Sequence, residues 1–453
     1  MLEYISAVEE LSKIERDYPV MDIKYKGVSV WPQLRIYFVN KLFKDKQPQT
    51  ISGNYKLVLN TLFSFNPLCA FKRHDFWAMF ATADRKKIGN KYVDSVCGYF
   101  SDLNANMLFI EKADKVAGHY KKTLIPEKDV ISTSWFFLFI YTLERFLKLK
   151  KFKLDGEVVI EKILKNYDVE FDYKYYVRVL IAQRMIANLF LSITPKPKLA
   201  FVEAPYVYMG FVWAFKNKGI PVVELQHGVL NAHHYAYNSI HHNNLLMPDE
   251  ICVFGTREYK YFTEVNKNYC NKVTITGSFI LEKSDAYFDN DIFKDERKRY
   301  KYIVVSSGQP QLETTLLGFV EEVAAKHKDM FFFHIPRLAN EELTTICDNV
   351  RIIKNVNIYE YLKWCDIHMT INSTTCLESH YFKKPNIFYN HNRMSSEYYS
   401  DVINMQNAAF YVNSGREFDE ALSQIKNTEF KYLELFAHHS TSNIKKVLER
   451  YLA

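Results

Sequence analysis

Residues 221–242 read PVVELQHGVLNAHHYAYNSIHH, and the fold is read outward from them. Val222 to Leu225 is a short buried-strand pattern that breaks at Gln226-His227-Gly228 into a polar loop carrying His227, His233, His234, His241 and His242. In an open parallel sheet, ligands bind outside the carboxyl ends of the strands. A strand ending in a polar, glycine-containing turn is therefore a place for chemistry. Just upstream, Leu199 to Glu203 reads as a strand and Tyr206 to Asn217 as a helix closed by Lys218-Gly219. A crossover helix returns the chain in the same direction, so these two strands must pair in parallel.

The alternation continues on both sides. Upstream, two helical patterns flank a break at Tyr25-Lys26-Gly27, the second starting at Trp31-Pro32, where proline suits a helix start. Strand patterns follow at Asp75–Ala81, Asn106–Ile110 and Lys122–Ile125, and a long helical one at Tyr173–Ile193. Downstream, Met247-Pro248-Asp249 reads as an interdomain linker, and a charged, irregular patch is expected over 282–299. Strands are expected near 250–254, 273–276, 302–305, 330–334, 350–353, 366–371, 386–389 and 408–412, with helices near 257–266, 312–327, 340–347, 359–364 and 376–382. Such alternation means a doubly wound α/β fold. The expected division is a helical cap at 1–50, a Rossmann-like domain at 51–245, a second at 246–430 and a C-terminal helix at 431–453.

Composition agrees. A chain of 453 residues with 48% hydrophobic and 25% charged residues folds, and its length calls for two or three cores. A net charge of +7 favours anionic substrates or a membrane surface, and no nucleic-acid-binding signature accompanies it. The seven cysteines form no CxxC pair, so a reducing cytoplasm fits better than a disulfide scaffold. The N-terminus lacks a signal-peptide pattern, and no uncharged apolar run reaches about 18 residues. Trp135 to Leu154 is aromatic at one end and basic at the other. It suits either a helix lying on an anionic membrane surface, here the cytoplasmic face of the inner membrane, or a core helix with a solvated end.

Three loops at strand ends carry the binding argument. Asn372-Ser373-Thr374-Thr375 leads a helix with Glu378 in its first turns; hydroxyls and backbone N–H groups there suit phosphate, and a carboxylate suits ribose hydroxyls. The alternative is an ordinary N-cap with a dipole-compensating glutamate. Ser306-Ser307-Gly308-Gln309 is a second such turn, and His334-Ile335-Pro336-Arg337 adds an arginine able to grip a diphosphate in bidentate fashion. Together they indicate a nucleotide diphosphate or a similar anion.

The succession ELQHG, PDEICVFG, VTITGSF, YIVVSSGQ, FFFHIPR and NSTTCLES resembles the C-terminal half of the GT-B glycosyltransferases that build bacterial capsule and other surface polysaccharides. VSVWPQLR and ATADRKKIGNKYVD look like N-terminal features of the same group. The resemblance implies two Rossmann-like domains facing across a cleft, with a glycan or lipid-linked glycan acceptor on the N-terminal side and a nucleotide-sugar donor on the C-terminal side. It assigns Ser373, Thr374, Thr375 and Glu378 to donor phosphate and ribose, and Arg337 to the phosphates. Relatives often have a His-Pro pair followed by an acidic residue; here Ile335 separates His334 from Pro336, and Arg337 follows.

For the reacting centre, His227 is the first candidate, because neutral imidazole takes a proton from a hydroxyl and imidazolium stabilises a leaving phosphate. A structural hydrogen bond is the competing account. Asp84 and Glu203, at the ends of other strands, are alternative bases or ordinary solvated charges. The five histidines match no metal-ligand spacing and no carboxylate accompanies them before Asp249, so neither metal nor cofactor is expected; solvated loop positions are expected for 233–242. Besides sugar transfer, the sequence leaves open a polyol-phosphate transferase of the teichoic-acid kind, a nucleotide-sugar epimerase and a non-catalytic glycan-binding scaffold.

Overall fold

Two all-parallel sheets carry the fold, seen in a computed structural model that describes residues 4–42, 55–115, 118–149, 152–241, 245–337 and 342–452. The first contains β1 (Phe76–Ala81), β2 (Met107–Lys112), β3 (Asp129–Ser132), β4 (Leu199–Val202), β5 (Val222–Leu225), β6 (Glu250–Val253) and β7 (Lys272–Ile275). Their spatial order is β7-β6-β5-β4-β1-β2-β3, with every neighbouring pair parallel. Strands covered on both faces need apolar residues throughout, which is why FWAMF and LAFV show no alternation. On one face Trp77, Leu108 and Val202 pack with the helices Ser134–Leu149, Tyr173–Ile193 and Met209–Asn217. Tyr173–Ile193 has the length and hydropathy of a membrane span, but half of it is buried inside the protein. A second cluster joins Ile251 and Val253 to Leu11 of the N-terminal helix Tyr4–Asp17 and to Leu34 and Phe38 of Trp31–Leu42.

The second sheet contains β8 (Tyr302–Ser306), β9 (Met330–His334), β10 (Val350–Ile352), β11 (Ile367–Thr370), β12 (Asn386–Tyr389) and β13 (Ala409–Val412), in the order β10-β9-β8-β11-β12-β13. It too is parallel throughout. Each order runs outward, returns to the centre and runs out the other way. The reversal lies between β1 and β4 in the first sheet and between β8 and β11 in the second, and each makes a crevice at the strands' carboxyl edge.

The chain divides into one unit of Met1–Lys86, Asn90–Phe279 and Ala437–Ala453, and another of Lys87–Gly89 and Ile280–Phe436. This corrects the expected boundary at 245/246. Met247-Pro248-Asp249 is a turn that feeds the same sheet: Asp249 N–H donates to the Val222 carbonyl at 2.8 Å, and β6 pairs with β5. The last helix, Ser440–Leu452, also belongs to the first unit, where Arg450 and Tyr451 bond to the buried Glu250 at 2.6 and 2.9 Å. Three local expectations fail as well. Lys122–Leu124 is a 3-10 turn, with the strand later at β3; 342–347 is not helical; and the charged patch contains a helix, Phe279–Tyr287. His242, 340 and 341 lie outside the described residues.

The histidine loop is held from two sides. From the sheet, Glu224 accepts the hydroxyls of Tyr237 and Tyr269, both at 2.6 Å. From the N-terminal helices, Glu15 pairs with Arg35 at 2.5 Å, and Arg35 donates to the Tyr235 carbonyl and, at 3.1 Å, to Asn238. His241 Nε2 donates to the Glu15 carbonyl at 2.8 Å, and His234 lies edge-on to Tyr237. Histidines 233, 234 and 241 are therefore partly buried parts of the loop rather than solvated side chains.

Burial pushes the Glu224 carboxyl up to about 8 even though two hydroxyls favour its ionised form. A carboxyl raised on folding gives stability that is complete below its unfolded value of about 4.3 and is lost as pH climbs toward the folded one. Glu224→Gln should therefore flatten the loss of stability between pH 5 and 8, by at most about 1.4 kcal/mol per pH unit. Urea midpoints across that range check this; an unchanged slope would remove Glu224 from the account.

Candidate active site

Asp84, Glu203 and His227 follow β1, β4 and β5, three adjacent strands, and the first two flank the reversal point. Asp84 closes the short 3-10 turn Thr82–Asp84 and is half-buried. Glu203 is buried, its N–H donates to the Met79 carbonyl at 3.1 Å, and its carboxyl neighbours that of Asp84. Burial, then the Asp84 and Asp94 charges, push Glu203 well above the usual carboxylate range. Its Oε2 has no hydrogen-bond partner among the described residues.

His227 is partly buried, with Nε2 at 3.4 Å from the Tyr206 hydroxyl and Nδ1 without a partner among the described residues. Burial lowers its pKa against the pull of Asp84, so the ring is neutral at pH 7. The edge thus brings together two neighbouring carboxyls, one of them with its proton affinity raised by burial, and a neutral imidazole. That is equipment for proton transfer in either direction.

Sequence reading missed what fixes Asp84 in place. Glu111, at the end of β2, accepts from Thr82 Oγ1 and from Arg85 Nη2 at 2.7 Å, and lies 3.4 Å from His119 Nδ1. Arg85 also pairs with Glu127 at 2.9 Å, and all three charged side chains are fully enclosed. Burial would raise Glu111, but His119 and Arg85 outweigh it and hold the carboxyl at about 2. Asp94 accepts the N–H groups of Val96 and Cys97 at 2.8 and 2.6 Å and is pushed up to about 7 by burial. The available signal was Glu111 terminating the apolar run MLFI; Arg85 and Glu127 read as loop charges. Replacing Arg85 with Met strands two buried carboxylates, so the variant should lose about 3–5 kcal/mol in urea unfolding. A loss under about 1 kcal/mol would mean that the cluster braces nothing.

In the other unit the three expected loops do meet, at the ends of β9, β8 and β11. Much of their polarity is turned inward. Asn386 Nδ2 donates to the Cys376 carbonyl, so its Oδ1 is the acceptor facing His368 Nδ1 at 2.8 Å. His368, held down to about 4 by burial, must then carry its proton on Nδ1 and accept from Ser307 Oγ at 3.1 Å. Ser307 in turn accepts from Thr375 Oγ1 at 3.0 Å, so one amide sets the direction of the whole chain.

Ser306 and His334 are fully buried and bonded to each other at 2.9 Å, with Glu313 3.1 Å beyond the histidine. Ser373 caps the Thr375 N–H at 3.4 Å and is buried. Gln309, Thr374 and Glu378 are half-buried, and Arg337 is exposed, with Nη1 donating to Gln309 Oε1 at 3.1 Å. Gly308 lies buried between Ser307 and Gln309. Glu378 accepts from the Tyr359 hydroxyl at 3.1 Å. Among the described residues, no group of three or more His, Cys, Asp or Glu side chains is placed to hold a metal ion.

Two parallel α/β domains, each with a single central reversal, define the GT-B architecture, and the chain has that fold. The MnaA-UDP co-structure from S. aureus matches with a TM-score of 0.52 at 10% identity, over 84% of this chain and 97% of the other. CalG4, the calicheamicin glycosyltransferase, matches with a TM-score of 0.51 at 13% identity, over 84% and 99%. A UDP-GlcNAc 2-epimerase from Methanocaldococcus jannaschii, in complex with UDP-GlcNAc and UDP, is similar at 12% identity and a TM-score of 0.46, over 83% and 99%. No family model and no curated protein matches the sequence.

Proposed function

We propose that the protein is a glycosyltransferase that moves a sugar from a nucleotide-sugar donor to a growing bacterial surface glycan, with no resident cofactor. The observation that carries this reading is the Asp84–Glu203 pair beside neutral His227, at the reversal point of a sheet whose counterpart carries Arg337 and Glu378 at its own strand ends. The acceptor oxygen attacks the anomeric carbon, the bond from that carbon to phosphate oxygen breaks, and the nucleotide leaves with the electron pair. The acceptor's proton passes to His227 or to the Asp84 carboxylate. Arg337 and the backbone N–H groups at 308–309 and 374 answer the diphosphate, and Glu378 answers the ribose hydroxyls. Ser306, Ser307, His334, Ser373 and Thr375 shape those loops from inside, because their hydrogen bonds are already committed. Because the MnaA neighbour was solved with UDP, a uridine diphosphate sugar is the first donor to try.

The same pair supports a second reading. Glu203, whose proton affinity burial and the neighbouring Asp84 raise, shares one site with a second carboxyl and an imidazole, so that site holds groups able to give and to take a proton, as a nucleotide-sugar epimerase requires.

Incubation with a panel of UDP-, GDP-, dTDP- and CMP-linked substrates and glycan acceptors separates the readings. Acceptor-dependent release of a nucleoside diphosphate supports transfer; an epimerised donor without release supports isomerisation; CMP release with a polyol phosphate in the product supports the teichoic-acid type. Asp84→Asn and His227→Ala should lower turnover by about 10²–10⁴-fold while the fold persists. Full activity in both variants would overturn the assignment.

A further inference from the structure

The segment 55–73 and the helix Ser134–Leu149 lie against each other in the first unit. Thr61 Oγ1 and Ser134 Oγ are 2.7 Å apart, Phe63 stands edge-on to Trp135 at 5.2 Å between centroids, and Arg145 lies over the Tyr55 ring. The helix has one face committed to the core, where Phe136 and Ile140 are buried and Glu144 pairs with Arg178 at 2.6 Å. Its other side shows Phe139, Phe146 and Leu149, at successive spacings of seven and three residues and so on one stripe of the helix. The neighbouring segment adds Phe63, Leu68 and Phe71. Phe63, Phe146 and Leu149 are 74%, 61% and 81% exposed. Large apolar side chains concentrated on one face mark a docking surface.

The charges say what docks. Lys56, Lys72, Arg73, Arg145 and Lys148, on the same two segments, are exposed as well. The two segments contain one acid between them, Glu144, and it is turned inward to Arg178. Asp129 is taken up by Lys72 at 2.7 Å and His74 at 3.2 Å. An apolar stripe beside exposed cations, of which Lys72 alone is paired with a carboxylate among the described residues, fits an interface of hydrocarbon edged by anions. We propose that this face seats the protein on an anionic lipid bilayer, with the phenylalanines entering the headgroup boundary and the lysines and arginines meeting lipid phosphates. The inference does not depend on which reaction the site performs.

The test uses the full chain and sedimentation with vesicles of phosphatidylcholine alone or with about 30% phosphatidylglycerol. Binding should be at least about tenfold stronger to the anionic vesicles and should weaken in about 0.5 M salt. Arg145→Glu with Lys148→Glu should reduce it by about tenfold or more, and Phe139→Ser with Phe146→Ser likewise, with unchanged melting temperatures in both pairs. Equal binding to both vesicle types, or unaltered binding by both folded variants, overturns the proposal. So does a wild-type protein that stays in the supernatant, or one that self-associates through this face, seen as a dimer by light scattering that the phenylalanine variant loses.

Discussion

Parallel pairing is the constraint from which the rest follows. When every strand of a sheet runs the same way, all carboxyl ends reach one edge, and the polar residues that end buried strands have nowhere else to go. A sheet whose order reverses once then opens a crevice at that edge. Asp84 and Glu203 flank one reversal; the loops at 306–309 and 371–375 flank the other. Helices Met209–Asn217 and Glu313–Lys326 serve as the crossovers that keep the direction constant. Function is thus concentrated by topology before any side chain is chosen.

The side chains then solve the cost of burying charge. Arg85 lies between Glu111 and Glu127, so the charges beneath the turn at Asp84 compensate each other. Glu224 takes two tyrosine hydroxyls and keeps its proton to about 8, tying the histidine loop to the strand from which it leaves. Glu203 has neither remedy. It lies near the Asp84 and Asp94 carboxyls, and burial together with those charges raises its hold on a proton, which suits it to give one up at this edge.

Much of this was legible in the sequence. Apolar runs without alternation marked the buried parallel strands, and the residues just past them, Asp84, Glu203 and His227, are where the structure gathers its polar edge. What escaped depends on contacts distant along the chain. Arg85 reads as one of several loop charges until Glu111, 26 residues on, is seen against it. Met247-Pro248-Asp249 has the composition of a linker, and only the pairing of β6 with β5 shows that the chain re-enters the same sheet. A four-residue strand such as β3 carries too little pattern to be told from the turn before it, and the helix Phe279–Tyr287 is masked by its charges. Ser306 and His334 were recognised as polar, but their mutual hydrogen bond, which removes them from solvent, is invisible in sequence.

We propose that the strand ends of the second sheet bind a nucleotide diphosphate while those of the first carry the chemistry. Thermal denaturation of wild type, Glu378→Ala and Asp84→Asn against UDP, GDP, CMP, CDP and dTDP tests it most directly. A nucleotide at about 100 times its dissociation constant stabilises the native state by about 2.7 kcal/mol, a plainly visible shift. One nucleotide should raise the melting temperature of wild type and Asp84→Asn but not that of Glu378→Ala. No shift with any nucleotide at millimolar concentration, or a shift that Glu378→Ala retains in full, would contradict it.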